Sequence, residues 1–149
     1  MLFPRSASTI KSDIHKGNIT VSVPGGLIMG ATILVVDDSV SIRQSIRFIL
    51  EQSGYAVFEA ADGVEGLKQL AAQKVNLVIT DVNMPNMDGL TMMKKIRETD
   101  GIKFIPILVL TTESQGSVVE EGKKAGATGW IVKPFNNEKL IETIKKIIP

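Results

Sequence analysis

The segment "ILVVDDS", residues 33–39, runs four apolar residues straight into two adjacent carboxylates, Asp37 and Asp38. An unpaired buried carboxylate is costly and neighbouring carboxylates repel, so the pair implies a positive partner brought to it from elsewhere. The run is strand-length, rich in Val and Ile, and apolar at consecutive positions, which suits a strand covered on both faces. Four further runs share this character: "YAVFEA" (55–60), "NLVITD" (76–81), "PILVLT" (106–111) and "TGWIVK" (128–133). Segments with helical spacing separate them. The first places Ile42, Ile46, Ile49 and Leu50 on one face and Arg43, Arg47 and Glu51 elsewhere, and the last repeats the pattern with Leu140, Ile141, Ile144, Ile147 and Ile148. This alternation predicts an α/β fold of (βα)5 type, a doubly wound parallel five-stranded sheet between helices.

At 149 residues the chain suits one domain. Its 17 Lys and Arg against 16 Asp and Glu leave a net charge of +1, which gives no support to nucleic acid as a partner. The absence of cysteine and the single histidine, His15, exclude disulfides, thiolate metal sites and imidazole clusters, so any metal must sit among oxygen ligands. An uncharged stretch, "VSVPGGLIMGATILVV" (21–36), follows Lys11, His15 and Lys16 and imitates a targeting signal. Pro24, Gly25 and Gly26 interrupt any helix there and the stretch runs into Asp37, so the reading is a cytoplasmic protein with no membrane partner.

Residues 30–149 form the expected domain, and residues 1–29 an N-terminal extension, flexible or weakly docked. A second reading of the extension is open. The codons of Gly25 and Gly26 can spell GGAGG shortly before the ATG of Met29, the form of a ribosome-binding site read in frame, in which case the natural chain begins at Met29. Peptides covering residues 1–28 in protein taken from its own cell would dispose of that alternative.

In open α/β sheets, ligands bind at the carboxyl ends of the strands, beside the point where strand order reverses. The first run ends in Asp37 and Asp38, the third in Asp81, the fourth in Thr111 and Thr112, and the fifth in Lys133. Clustered carboxylates without histidine or thiol favour Mg2+ or Mn2+. Lys133 adds a fixed cation and Thr111 a hydroxyl, a set suited to phosphoryl transfer onto a carboxylate nucleophile to give an acyl phosphate. Each residue also has a plainer reading. Asp38 could cap the helix in "SVSIRQS", Lys133 could be a solvated loop residue, and Trp130 could be core filler. Met84, Met87, Met92 and Met93 read as packing, and Asp88 as the cap of the third helix. The helix near residues 115–126 carries Gly116 and Gly122, each costing about 1 kcal/mol against Ala in a helix interior, and is expected to be the weakest.

"LVVDDS", "VITDVNMPNMDGL", "LVLTTES" and "GWIVKPF" resemble, in order and spacing, the receiver domain of bacterial two-component response regulators over about residues 31–148. The resemblance implies a flavodoxin-like strand order 2-1-3-4-5 and Asp81 as acceptor of a phosphoryl group from a histidine kinase. It further implies Mg2+ held by Asp38, Asp81 and the Asn83 carbonyl with Asp37 assisting through water, Lys133 on the phosphoryl group, and Thr111 shifting to hydrogen-bond it. A cis Lys133–Pro134 bond is also implied. Within the family the chain resembles the single-domain chemotaxis, CheY-like branch, through Asn83 and Glu113, which match the pair around a hydrolytic water. Trp130 stands at the switch position where Tyr or Phe is common.

The resemblance thus implies a monomeric signalling protein rather than an enzyme, with self-phosphorylation and autodephosphorylation only. A CheA-type kinase would act upstream, the flagellar motor switch or another effector downstream, and a phosphatase is a further candidate partner. A phosphorelay intermediate or phosphate sink would share every site residue. An aspartyl phosphatase of the haloacid dehalogenase type would need D-x-D and a cap domain, whereas the acids here are adjacent. A nucleotide or flavin binder would use Ser39, Ser41 and Ser45 at a helix start, but the loop has no glycine.

Overall fold

The five β-branched runs become β1 (Thr32–Val36), β2 (Ala56–Ala60), β3 (Leu77–Thr80), β4 (Ile107–Thr111) and β5 (Gly129–Val132). Helices alternate with them: α1 (Val40–Gln52), α2 (Gly63–Ala72), α3 (Gly89–Arg97), α4 (Gly116–Ala125) and α5 (Asn137–Ile147). The computed structural model describes residues 1–4, 22–23, 27–28 and 30–149. The start proposed at Met29, most of the extension and the helix-interrupting Pro24, Gly25 and Gly26 lie outside the described residues. Ser22–Val23 and Leu27–Ile28 form a short antiparallel pair.

The sheet is parallel with order β2-β1-β3-β4-β5, as the family resemblance implies. Successive strand residues alternate between its two faces. Ile33 and Val35 of β1, Leu77 and Ile79 of β3, and Leu108 and Leu110 of β4 meet Ile46 and Leu50 of α1 and Leu140 and Ile144 of α5. Leu34, Val36, Val78, Ile107 and Val109 point the other way, onto Leu70 of α2, Met92, Met93 and Ile96 of α3, and Ala125 of α4. The division of helices follows from topology. Crossovers are right-handed, so the step from β1 to β2 puts its helix on one face, and the steps back through β3, β4 and β5 put theirs on the other. Direction reverses between β1 and β3, whose carboxyl ends carry the three acids.

Polar residues set the helix starts. Ser39, Asp62, Asp88 and Asn136 each accept a backbone N–H of the first turn of α1, α2, α3 and α5. Asp38 is therefore not the α1 cap, and the Ser39 hydroxyl proposed for a phosphate cradle is engaged by Ile42 N–H at 3.3 Å. Asp88 caps α3 as expected, accepting from Thr91 N–H at 2.7 Å. The methionines pack, Met92 and Met93 completely buried and Met84 and Met87 against the same core.

Helix α4 starts at Gln115 without a side-chain cap and buries only Gly122 and Ala125. Its two glycines differ in kind. A Cβ on Gly122 would overlap the Trp130 ring, whereas one on Gly116 would meet open space. Gly122→Ala should therefore lose about 1 kcal/mol, because overpacking costs about 1–3 kcal/mol against about 1 gained in helix propensity. Gly116→Ala should gain up to about 0.5 kcal/mol. Urea unfolding midpoints check both signs.

Candidate functional site

Asp37 ends β1 almost completely buried, and both its carboxylate oxygens are engaged. Oδ1 accepts from Ser39 N–H at 2.9 Å and Oδ2 from the Lys133 ammonium at 3.0 Å. Asp81 follows β3, where Asp81 N–H bonds the Val36 carbonyl at 3.0 Å and so ties the two strand ends together. Its Oδ1 accepts from Val82 N–H at 2.6 Å, and its Oδ2 lies 3.3 Å from Lys133 Nζ. Asp38 is exposed. Oxygens of Asp37, Asp38 and Asp81 all lie within 4.8 Å of one another.

The loop after Asp81 is drawn tightly back. Gly89 N–H bonds the Val82 carbonyl at 2.8 Å, and a Cβ on Gly89 would overlap the Asp81 carbonyl oxygen, so only glycine allows α3 to start there. Asn86 takes a left-handed backbone at φ 63°, a region that favours Asn among residues other than glycine. Its amide donates to Asp62 Oδ2 at 2.7 Å, pinning the loop to the start of α2. That bond, with the Glu65 N–H, holds the Asp62 carboxyl below its usual range.

Lys133 reaches the cluster from the end of β5, with a cis bond to Pro134 and its N–H on the Thr111 carbonyl at 2.8 Å. Burial alone would lower its pKa, but the hydrogen bond and charge of Asp37, then those of Asp81, outweigh burial and raise it. Three carboxyl groups thus cluster at one point, and the single ammonium there pairs with two of them, Asp37 and Asp81. A rim of hard oxygen donors with too little positive charge fits Mg2+, which accepts one or two carboxylates and keeps water for phosphate oxygens. No described group supplies the nitrogen or sulfur that a zinc centre would require.

The remaining sequence-chosen residues form a neighbouring layer. Thr111 is fully buried and its hydroxyl oxygen accepts from Glu113 N–H at 3.3 Å, with no hydrogen bond to Asp37 or Asp81 among the described residues. Asn83 Nδ2 donates to Glu113 Oε1 at 3.3 Å across the mouth of the cluster. Trp130, 3% exposed, donates its indole N–H to the Glu113 carbonyl at 3.0 Å. Trp130 is therefore core filler and also a neighbour of the site, so its two sequence readings are compatible.

Sequence reasoning missed Arg43. Its guanidinium donates to the Asp37 backbone carbonyl at 2.5 Å and to Glu59 Oε1 at 3.0 Å, and Arg47 donates to Glu59 Oε2 at 2.7 Å. The Arg47 bond, opposed by burial and aided by Arg43, keeps the Glu59 carboxyl below its usual range. This brace holds the chain where it turns from β1 toward α1. Two arginines spaced i, i+4 opposite a glutamate embedded in an apolar strand were its available signal.

Fold and site together define a response regulator receiver domain, and the chain belongs to that family, whose model matches residues 33–145. Within the family it is CheY-like. It is 42% identical over 118 residues to the chemotaxis protein CheY1 of Helicobacter pylori, covering 78% of this chain and 95% of that protein. Among solved structures, CheY4 of Vibrio cholerae is 47% identical with a TM-score of 0.75, covering 78% of this chain and 98% of that one. The receiver domain of a Pseudomonas aeruginosa sensor histidine kinase, solved with a magnesium ion coordinated in its active-site cleft, is 27% identical with a TM-score of 0.75. That alignment covers 80% of this chain and 98% of the other. The protein is thus a signalling component of two-component type, and the phosphatase and nucleotide-binder readings are set aside. No described helix is long and apolar enough to cross a membrane.

The raised Lys133 pKa makes a signed prediction. Stability from its ion pairs is fully present below the ordinary value of 10.5 and is lost as pH rises through the raised folded value. In chelator, Lys133→Met should be less stable than wild type at neutral pH, and the gap should narrow in strongly alkaline buffer; denaturant titrations across that range measure it.

Proposed function

We propose that the protein is a phosphorylation-activated switch in which Asp81 accepts a phosphoryl group from a histidine kinase. The observation carrying this reading is the position of Asp81, with Oδ2 3.3 Å from the Lys133 ammonium and its carboxylate grouped with Asp37 and Asp38. An Asp81 oxygen attacks phosphorus as the P–N bond to the kinase histidine breaks, the imidazole leaves with the electron pair, and an acyl phosphate remains on Asp81. Lys133, already desolvated and charged, offsets charge on the phosphoryl oxygens at no cost in reorganisation. A bound Mg2+, held by Asp38, Asp81 and the Asn83 carbonyl with Asp37 assisting, would supply further charge neutralisation there. Thr111, whose hydroxyl oxygen accepts a single long bond from Glu113 N–H, is the residue to respond to the new phosphoryl oxygens. Trp130 would then respond through Glu113.

Asn83 and Glu113 would orient a water for hydrolysis of the acyl phosphate, a role supported by their hydrogen bond to each other. The similarity to CheY1 and CheY4 supports chemotaxis as the setting, with a CheA-type kinase upstream and the flagellar motor switch downstream.

Incubation with acetyl phosphate and Mg2+ should give a covalent phosphoryl adduct by intact mass and a change in emission of the single tryptophan, Trp130. Both should disappear in chelator and in Asp81→Asn, which is nearly isosteric and should stay folded. Asn83→Ala and Glu113→Ala should alter the adduct lifetime by about tenfold, below the ~100-fold or more of a true general acid or base, because these groups orient the water rather than take its proton. Labelling of Asp81→Asn at the native rate would remove Asp81 as acceptor, and equal lifetimes would remove the hydrolytic role.

A further inference from the structure

The far edge of the sheet is not bare. β5 is an edge strand, and its outward N–H and C=O groups form a template on which another extended segment can pair. The first residues of the chain occupy it. Leu2 bridges Gly129 in antiparallel sense, Trp130 N–H bonds the Met1 carbonyl at 2.9 Å, and Phe3 N–H bonds the Thr128 carbonyl at 2.8 Å. The Met1 ammonium completes the set with the Trp130 carbonyl at 3.1 Å. Phe3 is 9% exposed, shares the core cluster of Trp130, and lies 5.8 Å beneath the Lys123 ammonium.

The hold is limited. Among the described residues it consists of a few backbone bonds and one anchored ring, while burial and the charges of Lys139 and Lys146 act against the Met1 ammonium and lower its pKa. Among the described residues, the segment leaves the end of β5 open. Val132 is 41% exposed, and a groove of ≈ 320 Å³ lined by Met1, Trp130, Val132, Phe135 and Lys139 runs beside it.

We propose that Met1–Phe3 is an internal latch that occupies the β5 edge as an antiparallel strand, and that Trp130 links the latch to the site around Asp81. The link is a run of direct contacts. Met1 holds the Trp130 backbone, the Trp130 indole bonds the Glu113 carbonyl, and Glu113 N–H bonds the Thr111 hydroxyl. This second half rests on the phosphoacceptor reading. By reciprocity, a latch that binds the two states of the switch unequally must alter phosphorylation, and phosphorylation must alter the latch.

Hydrogen exchange at the Trp130 amide in the full chain tests the latch without any phosphodonor. Phe3→Asp should speed that exchange about tenfold or more by releasing the strand, while Phe3→Tyr should leave it near wild type. Circular dichroism should be unchanged in both. Equal protection in wild type and Phe3→Asp would overturn the latch, as would native protein lacking residues 1–4. Adding Mg2+ and acetyl phosphate then tests the link. Exchange at Trp130 should shift in wild type, and the phosphorylated fraction at equal donor should differ between wild type and Phe3→Asp. An adduct with neither effect would overturn the link alone. Absence of any adduct would overturn the phosphoacceptor reading and the link with it, while the latch stands or falls on the exchange data.

Discussion

The Lys133 ammonium bridging Asp37 and Asp81 is the contact on which the site depends. It draws the ends of β1, β3 and β5 toward one point, although β5 is separated from β3 by β4. Without it, adjacent strand ends would hold carboxylates within a few ångströms of one another in partly buried surroundings, an arrangement that repulsion and desolvation both oppose. One lysine cannot balance the three acids, and that residual negative potential is what makes the rim receptive to a divalent ion. The fold tolerates this strained electrostatics because the surrounding core is well filled. Both sheet faces are covered, and the strands next to the site, β1, β3 and β4, are buried along nearly their whole length.

The elements around this point are held to different degrees. On the β1 side, Arg43 and Arg47 converge on Glu59 and brace the Asp37 carbonyl, while Asn86 and Gly89 fix the loop after Asp81. On the β4 side the constraints thin out. Thr111 and Glu113 share a single long hydrogen bond, α4 lacks a side-chain cap, and its inner face presents a glycine to Trp130. Rigid geometry lies where a phosphoryl group and cation would be positioned, and loosely held structure lies between that position and the β5 edge. Such a gradient suits a switch, since a small change in charge can shift only those elements whose native contacts are few.

Trp130 stands at the junction. Its ring packs on Gly122 of α4, its indole N–H reaches the loop after β4, and its backbone receives the first residue of the chain. A smaller aromatic residue there would fill less of the space that Gly122 leaves open. The absence of a side chain at position 122 and the size of residue 130 are complementary features of a single contact.

Much of this was written in local sequence. Apolar runs of strand length separated by segments of helical period dictated the (βα)5 alternation, because period and burial are coupled residue by residue. Asp37, Asp38, Asp81 and Lys133 were legible as neighbours because chain topology alone sends strand ends to one rim. Strand order, by contrast, came from resemblance, since no local pattern states which edge a strand joins. Asp38 looked like a helix cap until the backbone showed Ser39 in that role, a difference of one residue that only φ and ψ decide. The arginine brace on Glu59 and the docking of Met1–Phe3 on β5 depend on residues 12 to 129 positions apart in the chain. Local sequence determined the strands, the helices and the chemistry delivered to the rim. Tertiary structure alone decided which charges pair and what covers the β5 edge, because those contacts become favourable only after distant segments have been brought together and their water displaced.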